Sequence, residues 1–553
     1  MTTDYVADAR ARWEALAQKA LATKGGAGKP LSTLTDSAQA GLPVEPLYLS
    51  APGAGVPARL GPIEVAQCLD ASTLSRTSEA LAGGADALWL EEDALERVEA
   101  EGLTSAAQPV FLAPGADLGR RAKVAAALTK GGHRLAALGW DPLALEAAAC
   151  DVDAIATGVE RALAAAPQGA LALDVGRVLA VSGSVVHAVG LSLAGVAALA
   201  RLPGVSARGF SALNVVLEGG VDWPVTVALV RATRLGLAKV GAALGWVGAP
   251  RLVGRTSQRS SSSLDPDTDL VRASVAAFGL LVGGVDVLAA RPVPGVGDPL
   301  RFARNVGLVL RDEARLGPET DPAAGSHALE SLTDALARAG WAELQQIERE
   351  GGLLTEPARR AFARRVAEAG TRAEARVRSR RQVLVGMNDF VAAPSGRAPV
   401  ASGEVAPTGS LFGEALPLRL GAPFEALRAR SLSQRETAPE AAPRLSLHRL
   451  DPEAAIAPRE AFLRRFCDAF GFELTEDPGA PLVALVGSDE SYAKLSQEDV
   501  AALERGGRSV VIAGRPEALS SAAREREGSM LFVHLGVPDA VALAERILES
   551  VAR

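Results

Sequence analysis

LNVVLEGGVDWPVTVALVRATRLGLAKVGAALGWVGAPRLVG, residues 213–254, reads as one β-α-β unit. Leu213–Leu217 is a short apolar run that ends in glycines. A long Ala/Leu-rich helix follows over 224–248, with Pro224 near its start, where a missing N–H costs nothing. Arg251–Gly254 is a second apolar run. Strands joined through a helix in this way pair in parallel. The alternation continues to both sides, with apolar runs at Ala85–Leu90, Val110–Ala113, Leu135–Trp140, Ala170–Val175 and Val285–Ala289. Some 250 residues of this pattern predict an α/β fold, a (β/α)8 TIM barrel.

A second pattern follows a stretch rich in Ala, Pro, Gly and Ser. Leu482–Val486, Ser509–Ala513 and Met530–Leu535 read as strands, and Phe462–Phe472, Val500–Glu504 and Ala540–Ala552 as helices. That order predicts a small doubly wound, flavodoxin-like domain. The expected organisation is a helical extension over 1–40, a barrel over 41–390, a linker over 391–445 and the small domain over 446–553. Helices are also expected over 4–23, 327–349 and 357–382. The last carries many arginines, which read as a solvated face or as an anion or partner surface.

Composition removes several function classes. The chain has 553 residues, 48% of them hydrophobic and 22% charged, with a formal charge of −7. An acidic balance of this kind does not suit a nucleic-acid partner. The most apolar stretch, Val178–Ala200, is interrupted by Ser182, Ser184 and His187, so no membrane span is expected. The start, MTTDYVADAR, has acids and no apolar run, which points to a cytoplasmic chain. Cys68, Cys150 and Cys467 are far apart and odd in number, without zinc or disulfide spacing. Lys24-Gly-Gly-Ala-Gly-Lys-Pro30 lacks the hydroxyl residue a phosphate loop needs after its lysine, and reads as a linker.

Little chemistry stands out from the residues alone. The five histidines are scattered, so there is no helix-borne metal pair, and no Gly-x-Ser-x-Gly elbow occurs. His187 lies on an apolar segment and reads as a core residue. The most polar barrel loop is Arg255-Thr-Ser-Gln-Arg-Ser-Ser-Ser-Ser-Leu-Asp-Pro-Asp267, after the strand Arg251–Gly254. Loops at the carboxyl ends of barrel strands build the site. Its hydroxyls and arginines suit phosphate or carboxylate groups, and it equally suits a hydrophilic turn.

This loop resembles a run in the methylmalonyl-CoA mutase family. Thr256-Ser257, Asp265-Pro266 and Val271-Arg272 match in order. Ala303-Arg304-Asn305, Asp321-Pro-Ala-Ala-Gly325-Ser-His-Ala-Leu-Glu330-Ser-Leu-Thr333, Gly351-Gly352 and Val385-Gly386-Met-Asn388 continue the register, and Leu42–Tyr48 is similar to the segment leading into that barrel. The resemblance implies an acyl-CoA-binding barrel and a cobalamin-binding domain. It also implies the radical interchange of (R)-methylmalonyl-CoA and succinyl-CoA with adenosylcobalamin as cofactor.

The departures bear on function. Active members carry Ser-Gly-Tyr-His, whose Tyr and His touch substrate. Here the run is Val181-Ser-Gly-Ser184-Val185, so the two catalytic positions are Ser184 and Val185, and valine can neither donate a hydrogen bond nor transfer a proton. Arg255 replaces a glutamine. Phe210-Ser-Ala-Leu-Asn214 lacks an arginine that would meet the acyl-CoA, and Val287–Arg291 replaces Ser-Leu-His-Thr-Asn. The cobalt-ligating Asp-x-His-x-x-Gly is absent from the chain. Gly487-Ser-Asp-Glu490 puts acids where a cofactor tail would lie, and Ala513-Gly-Arg515 replaces a Gly-Gly turn.

The resemblance therefore implies the small subunit of a heterodimeric mutase, in which a homologous catalytic large subunit binds substrate and adenosylcobalamin. No catalytic residue, cofactor-binding residue or metal ligand is expected in this chain. The remnant pocket is expected at Arg255, Thr256, Ser257, Arg304 and Asn305. Two alternatives remain open at this point: an active isomerase using His187, and a CoA-ester-binding regulator using Arg255, Arg259 and Arg304.

Overall fold

The computed structural model describes residues 3–23, 28–35, 42–51, 53, 55–103, 108–145, 150–202, 205, 207–392, 419–439 and 442–551. They form two compact units. The first holds the described residues through Arg259 together with Leu270–Gly370. The second holds Ser260–Asp269, residues 371–392 and the described residues from Arg419 on. Among the described residues no helix is long and apolar enough to cross a membrane.

The first unit is a parallel (β/α)8 barrel. Its strands are β1 (Glu64–Leu69), β2 (Ala87–Leu90), β3 (Pro109–Leu112), β4 (Arg134–Ala137), β5 (Leu171–Asp174), β6 (Leu213–Gly219), β7 (Arg251–Thr256) and β8 (Val287–Ala289). They pair in the order β4-β3-β2-β1-β8-β7-β6-β5. Between β5 and the residues around the end of β4 the ring is closed by Leu138 N–H to Gly169 O at 2.8 Å and Ala172 N–H to Trp140 O at 2.7 Å. The predicted runs are all strands, with ends shifted by at most three residues. β1 escaped the sequence reading because Gln67 interrupts its apolar pattern.

Alternation along each strand divides the residues between two sides. Leu88, Leu90, Val110, Leu112, Leu171, Leu173, Val215 and Leu217 face the helices. Ala66, Cys68, Ala87, Trp89, Phe111, Val216, Val253, Val287 and Ala289 fill the lumen. Most lumen residues are small, and the space they leave is taken by Trp89 and Phe111, whose rings stack at 6.4 Å between centroids. Arg251 and Arg255 lie on the inward face of β7 on either side of Val253. Arg251 sits 5.4 Å over Phe111 and Arg255 sits 5.1 Å over Trp89. Two aromatic rings between two guanidinium groups thus occupy the barrel axis.

Two of the motifs quoted above hold the fold together. Arg231, on the helix Trp223–Ala243, is buried. It pairs with Asp321 and, at 2.7 Å, with Glu330, and donates to Thr333 Oγ1 at 3.3 Å. The Asp, Glu and Thr of the Asp321–Thr333 motif therefore converge on one buried cation. Asn388 is equally structural within the second unit. Its Oδ1 accepts Leu384 N–H at 2.7 Å, and its Nδ2 donates to Val377 O and Gln382 O at 3.2 and 2.9 Å.

The second unit is built on five parallel strands, β9 (Arg444–Arg449), β10 (Glu473–Thr475), β11 (Leu482–Val486), β12 (Ser509–Ile512) and β13 (Met530–Phe532), in the order β10-β9-β11-β12-β13. This is the flavodoxin-like order. The expected linker over 391–445 needs correction. The helix Ala422–Thr437 lies inside it and contributes Phe424 and Leu427 to the core of this unit, with Phe424 stacked on Phe470 at 5.1 Å. Proline and arginine around these residues masked their helical spacing. Residues 393–418 of the expected linker lie outside the described residues. The barrel boundary at 390 is also corrected, because Ser260–Asp269 and residues 371–392 belong to the second unit.

Candidate functional site

In a barrel of this type the carboxyl ends of the strands form the site. Here three cations at that end are each paired with a carboxylate. Arg255 passes over Trp89 and pairs with Glu91, just beyond β2. Arg291, beyond β8, pairs with Glu218 of β6 at 2.6 Å and donates its backbone N–H to Thr256 Oγ1 at 2.9 Å. Arg177 pairs with Asp174 of β5 at 3.1 Å. Burial opposes the charge on Arg255, yet Glu91 and its neighbours outweigh that cost and raise its pKa. The Cys68 thiol beneath is pushed up to about 12, by burial first and by Glu91 second, so it is no nucleophile at neutral pH. A mouth neutralised from within offers no uncommitted guanidinium from these three pairs to a phosphate or thioester oxygen.

Asp141 closes the seam beside this mouth. It accepts Leu143 N–H at 3.0 Å and Asp174 N–H at 2.9 Å. Burial raises its pKa to about 6, with Asp174 adding to the effect and the two N–H bonds opposing it. The ionised form is therefore disfavoured by the fold. Stability from the protonated form is expected to be present near pH 4 and lost as pH rises through 6. A shift of this size corresponds to about 3 kcal/mol. Carboxylates with lowered pKa, such as Asp298 at about 2, stay ionised throughout that window. Urea unfolding at pH 4.5 and 7 checks this: the Asp141→Asn variant is expected to lose the decline. An unchanged slope removes Asp141 as its origin.

The expected site residues do not gather. Ser184 caps the helix Val185–Ala200, its Oγ accepting His187 N–H at 3.4 Å, and Val185 is buried in the barrel's helical layer. His187 is half-buried with its ring edge-on to Phe362 at 6.0 Å. Arg259 donates to Ala180 O and Val181 O, in the last turn of the helix that ends at the left-handed Gly183, φ +66°. Thr256 and Ser257 hold strand ends, Ser257 donating its backbone N–H to Gly219 O at 2.9 Å. The expectation for Arg304 and Asn305 needs correction. Arg304 lies on the helix Pro299–Leu308, buried against Gly83, and donates to Gln67 Oε1 at 3.3 Å. Gln67 alternates with the lumen residues Ala66 and Cys68, so Arg304 sits between helices and sheet, and Asn305 follows it on the same helix.

Two hydroxyls of the polar loop are committed as well. Within the second unit, Glu425 accepts Ser262 Oγ at 2.6 Å, Ser263 N–H at 2.8 Å and Ser263 Oγ at 2.9 Å, and it pairs with Arg419. Burial alone would raise the Glu425 pKa, but the Ser262 and Arg419 bonds bring it below the usual range. The residues that sequence reasoning missed are Trp89, Glu91, Asp141, Asp174 and Glu218. A signal existed: Leu90-Glu91, Leu173-Asp174 and Leu217-Glu218 each place an acid at the end of an apolar run.

In the second unit, ligands of such a fold lie at the carboxyl ends of the strands where the order reverses, here between β9 and β11. The chain itself fills that place. Asp451, after β9, accepts Ser488 N–H and Ser491 Oγ, both at 2.7 Å. These two hydrogen bonds lower its pKa. Tyr492 is buried under the ends of β11 and β12. Of the two histidines here, His448 is exposed on β9, and His534 Nδ1 accepts Gly536 N–H at 3.0 Å. Burial, helped by Arg515, lowers the His534 pKa.

Comparison with known proteins agrees with the retained motifs. Residues 219–407 match the family model described as methylmalonyl-CoA mutase. A probable methylmalonyl-CoA mutase small subunit of Mycobacterium tuberculosis is 29% identical over 410 residues, covering 66% of this chain and 64% of that protein. The small subunit of Streptomyces virginiae is 30% identical over 56% of this chain and 53% of its own length. That of Propionibacterium freudenreichii is 36% identical over 26% of this chain and 24% of its own length. The matches thus span less than two thirds of these relatives' lengths. Barrel, second sheet and the motif converging on Arg231 accompany that likeness: over residues 219–407 the chain is similar to the methylmalonyl-CoA mutase family.

Proposed function

We propose that this chain is the small, non-catalytic subunit of an adenosylcobalamin-dependent methylmalonyl-CoA mutase. A homologous large subunit binds substrate and cofactor and interconverts (R)-methylmalonyl-CoA and succinyl-CoA. The observation that carries this reading is the barrel axis, where Arg255 spans the mouth to Glu91 above a lumen occupied by Trp89 and Phe111. An acyl chain has neither room there nor an uncommitted cation among the mouth pairs to bind. Ser184 and Val185 serve a helix start, so the family's tyrosine and histidine have no counterpart at these positions. The residues of the second unit's crevice do not fit cobalamin: Asp451 and Tyr492 occupy it. This chain's own residues hold folded shape; binding and chemistry belong to the partner.

Affinity purification of the tagged chain from its native host tests the reading. A longer homologous chain with Asp-x-His-x-x-Gly and Ser-Gly-Tyr-His is expected in equal amount, with turnover and cobalamin absorbance only in the complex. Recovery of this chain alone, or cobalamin retained by it alone, would sink the idea. The helix Thr3–Leu21 is the proposed contact, since it leaves Leu16 68% exposed and a helix this long needs a buried face for stability. Deleting residues 1–35 is expected to cut partner recovery tenfold or more, about 1.4 kcal/mol. Undiminished pairing removes the helix from the interface.

A further inference from the structure

The ring of Tyr492 sits in a receptacle built around it. One edge faces Gly487, where an added methyl would come within 3.2 Å of Cε1. The other faces Gly514, where a methyl would come within 2.8 Å of Cε2. The guanidinium of Arg459 lies 5.3 Å over the ring, held there by its bonds to Gly487 O at 2.5 Å and Asp489 at 2.8 Å. The hydroxyl reaches the sheet. It accepts Gly487 N–H at 2.9 Å and shares its proton between Leu485 O and Ala513 O, each at 3.1 Å. Burial raises its pKa, which keeps it a neutral donor.

Two glycines that admit a ring, a cation above it and three backbone groups for one hydroxyl make a complete binding site for a phenol. The site stands at the carboxyl ends of β11 and β12, beside the point where the strand order reverses. Tyr492 enters it from a short helix, Asp489–Tyr492, which Asp451 ties across from β9. We infer that Tyr492 is an intramolecular ligand of the second unit's crevice, and that the crevice freed of it is a receptor for one planar hydroxylated ring.

The test uses the full-length chain with Tyr492→Gly, probed with p-cresol, which is the tyrosine side chain as a free molecule. A saturable rise of several degrees in the variant's thermal midpoint is expected, a smaller rise with toluene, and none for the natural chain. A folded variant that responds to p-cresol no more than the natural chain overturns the inference. Should Tyr492→Gly not fold, Tyr492→Phe keeps the ring and removes the hydroxyl. Amide exchange in the peptide 482–495 is then expected to quicken about tenfold as Gly487 N–H loses its acceptor; unchanged exchange overturns the inference equally. These outcomes are separate from the subunit reading, which fails on cobalamin retention or on the missing partner.

Discussion

Trp89→Ala is expected to destabilise the barrel by about 3–5 kcal/mol, the range for emptying a buried aromatic site. Trp89 is among the largest fully buried side chains, at 1% exposure. Its neighbours in the lumen, Ala66, Cys68, Ala87 and Ala113, are too short to close the gap. The variant also takes the ring from under Arg255, a desolvated cation–π contact worth up to about 2 kcal/mol. The thermal midpoint of the barrel should fall by roughly 10 °C at the scaling for a unit of this size. Val247→Ala, at a side chain 83% exposed, should stay within about 0.5 kcal/mol. Urea unfolding followed by circular dichroism checks both. A Trp89→Ala chain unfolding within about 1 kcal/mol of the natural one would mean the lumen is not a packed core, and the case against an acyl-CoA channel would lose its support.

Arg231→Met should cost a similar amount, about 3–5 kcal/mol, for an electrostatic reason. The substitution leaves Asp321 and Glu330 without the cation that joins them. Breaking a buried ion pair from one side exposes the other to its full desolvation cost. The double variant Arg231→Met with Glu330→Leu should recover part of the loss, because it removes one stranded carboxylate. If the double variant is no better than the single one, the stranded charge is not the cause, and lost packing of the long side chain is. The same network gives the Asp321–Thr333 motif a structural role. Arg231 on the helix Trp223–Ala243 thereby joins Glu330 and Thr333 on the helix His327–Arg349, and Asp321 ahead of it.

The sequence was most legible where periodicity is local. Apolar runs ending in Gly, Pro or Asp located seven of the eight barrel strands, and the helix His327–Arg349 matched its expected span. β9 was missed because Arg444-Leu-Ser-Leu-His-Arg449 alternates polar and apolar residues in a unit whose other central strands are continuously apolar. The pocket was less legible. Arg304 follows a family motif and carries a positive charge, yet a helix turn places it against Gln67 and Gly83. Ser262 and Ser263 read as ligand groups in sequence, but Glu425, far along the chain, takes them.

From the residues in order came the two-part α/β architecture, the likeness to one family, and the expectation that its Tyr, His and cobalt-ligating motif have no counterpart here. These are properties of neighbouring positions, and spacing along the chain is enough to read them. What occupies the barrel lumen and the ends of the second sheet was decided by tertiary structure alone. An alternating strand tells which residues share a face, but not that Trp89 and Phe111 from β2 and β3 would meet Arg251 and Arg255 from β7 across one lumen. Nor does it tell that Tyr492 would fold back beneath two strand ends. Packing at close to crystal density is a sum over side chains distant in sequence, and only the closed barrel and the folded second sheet bring those volumes and charges together.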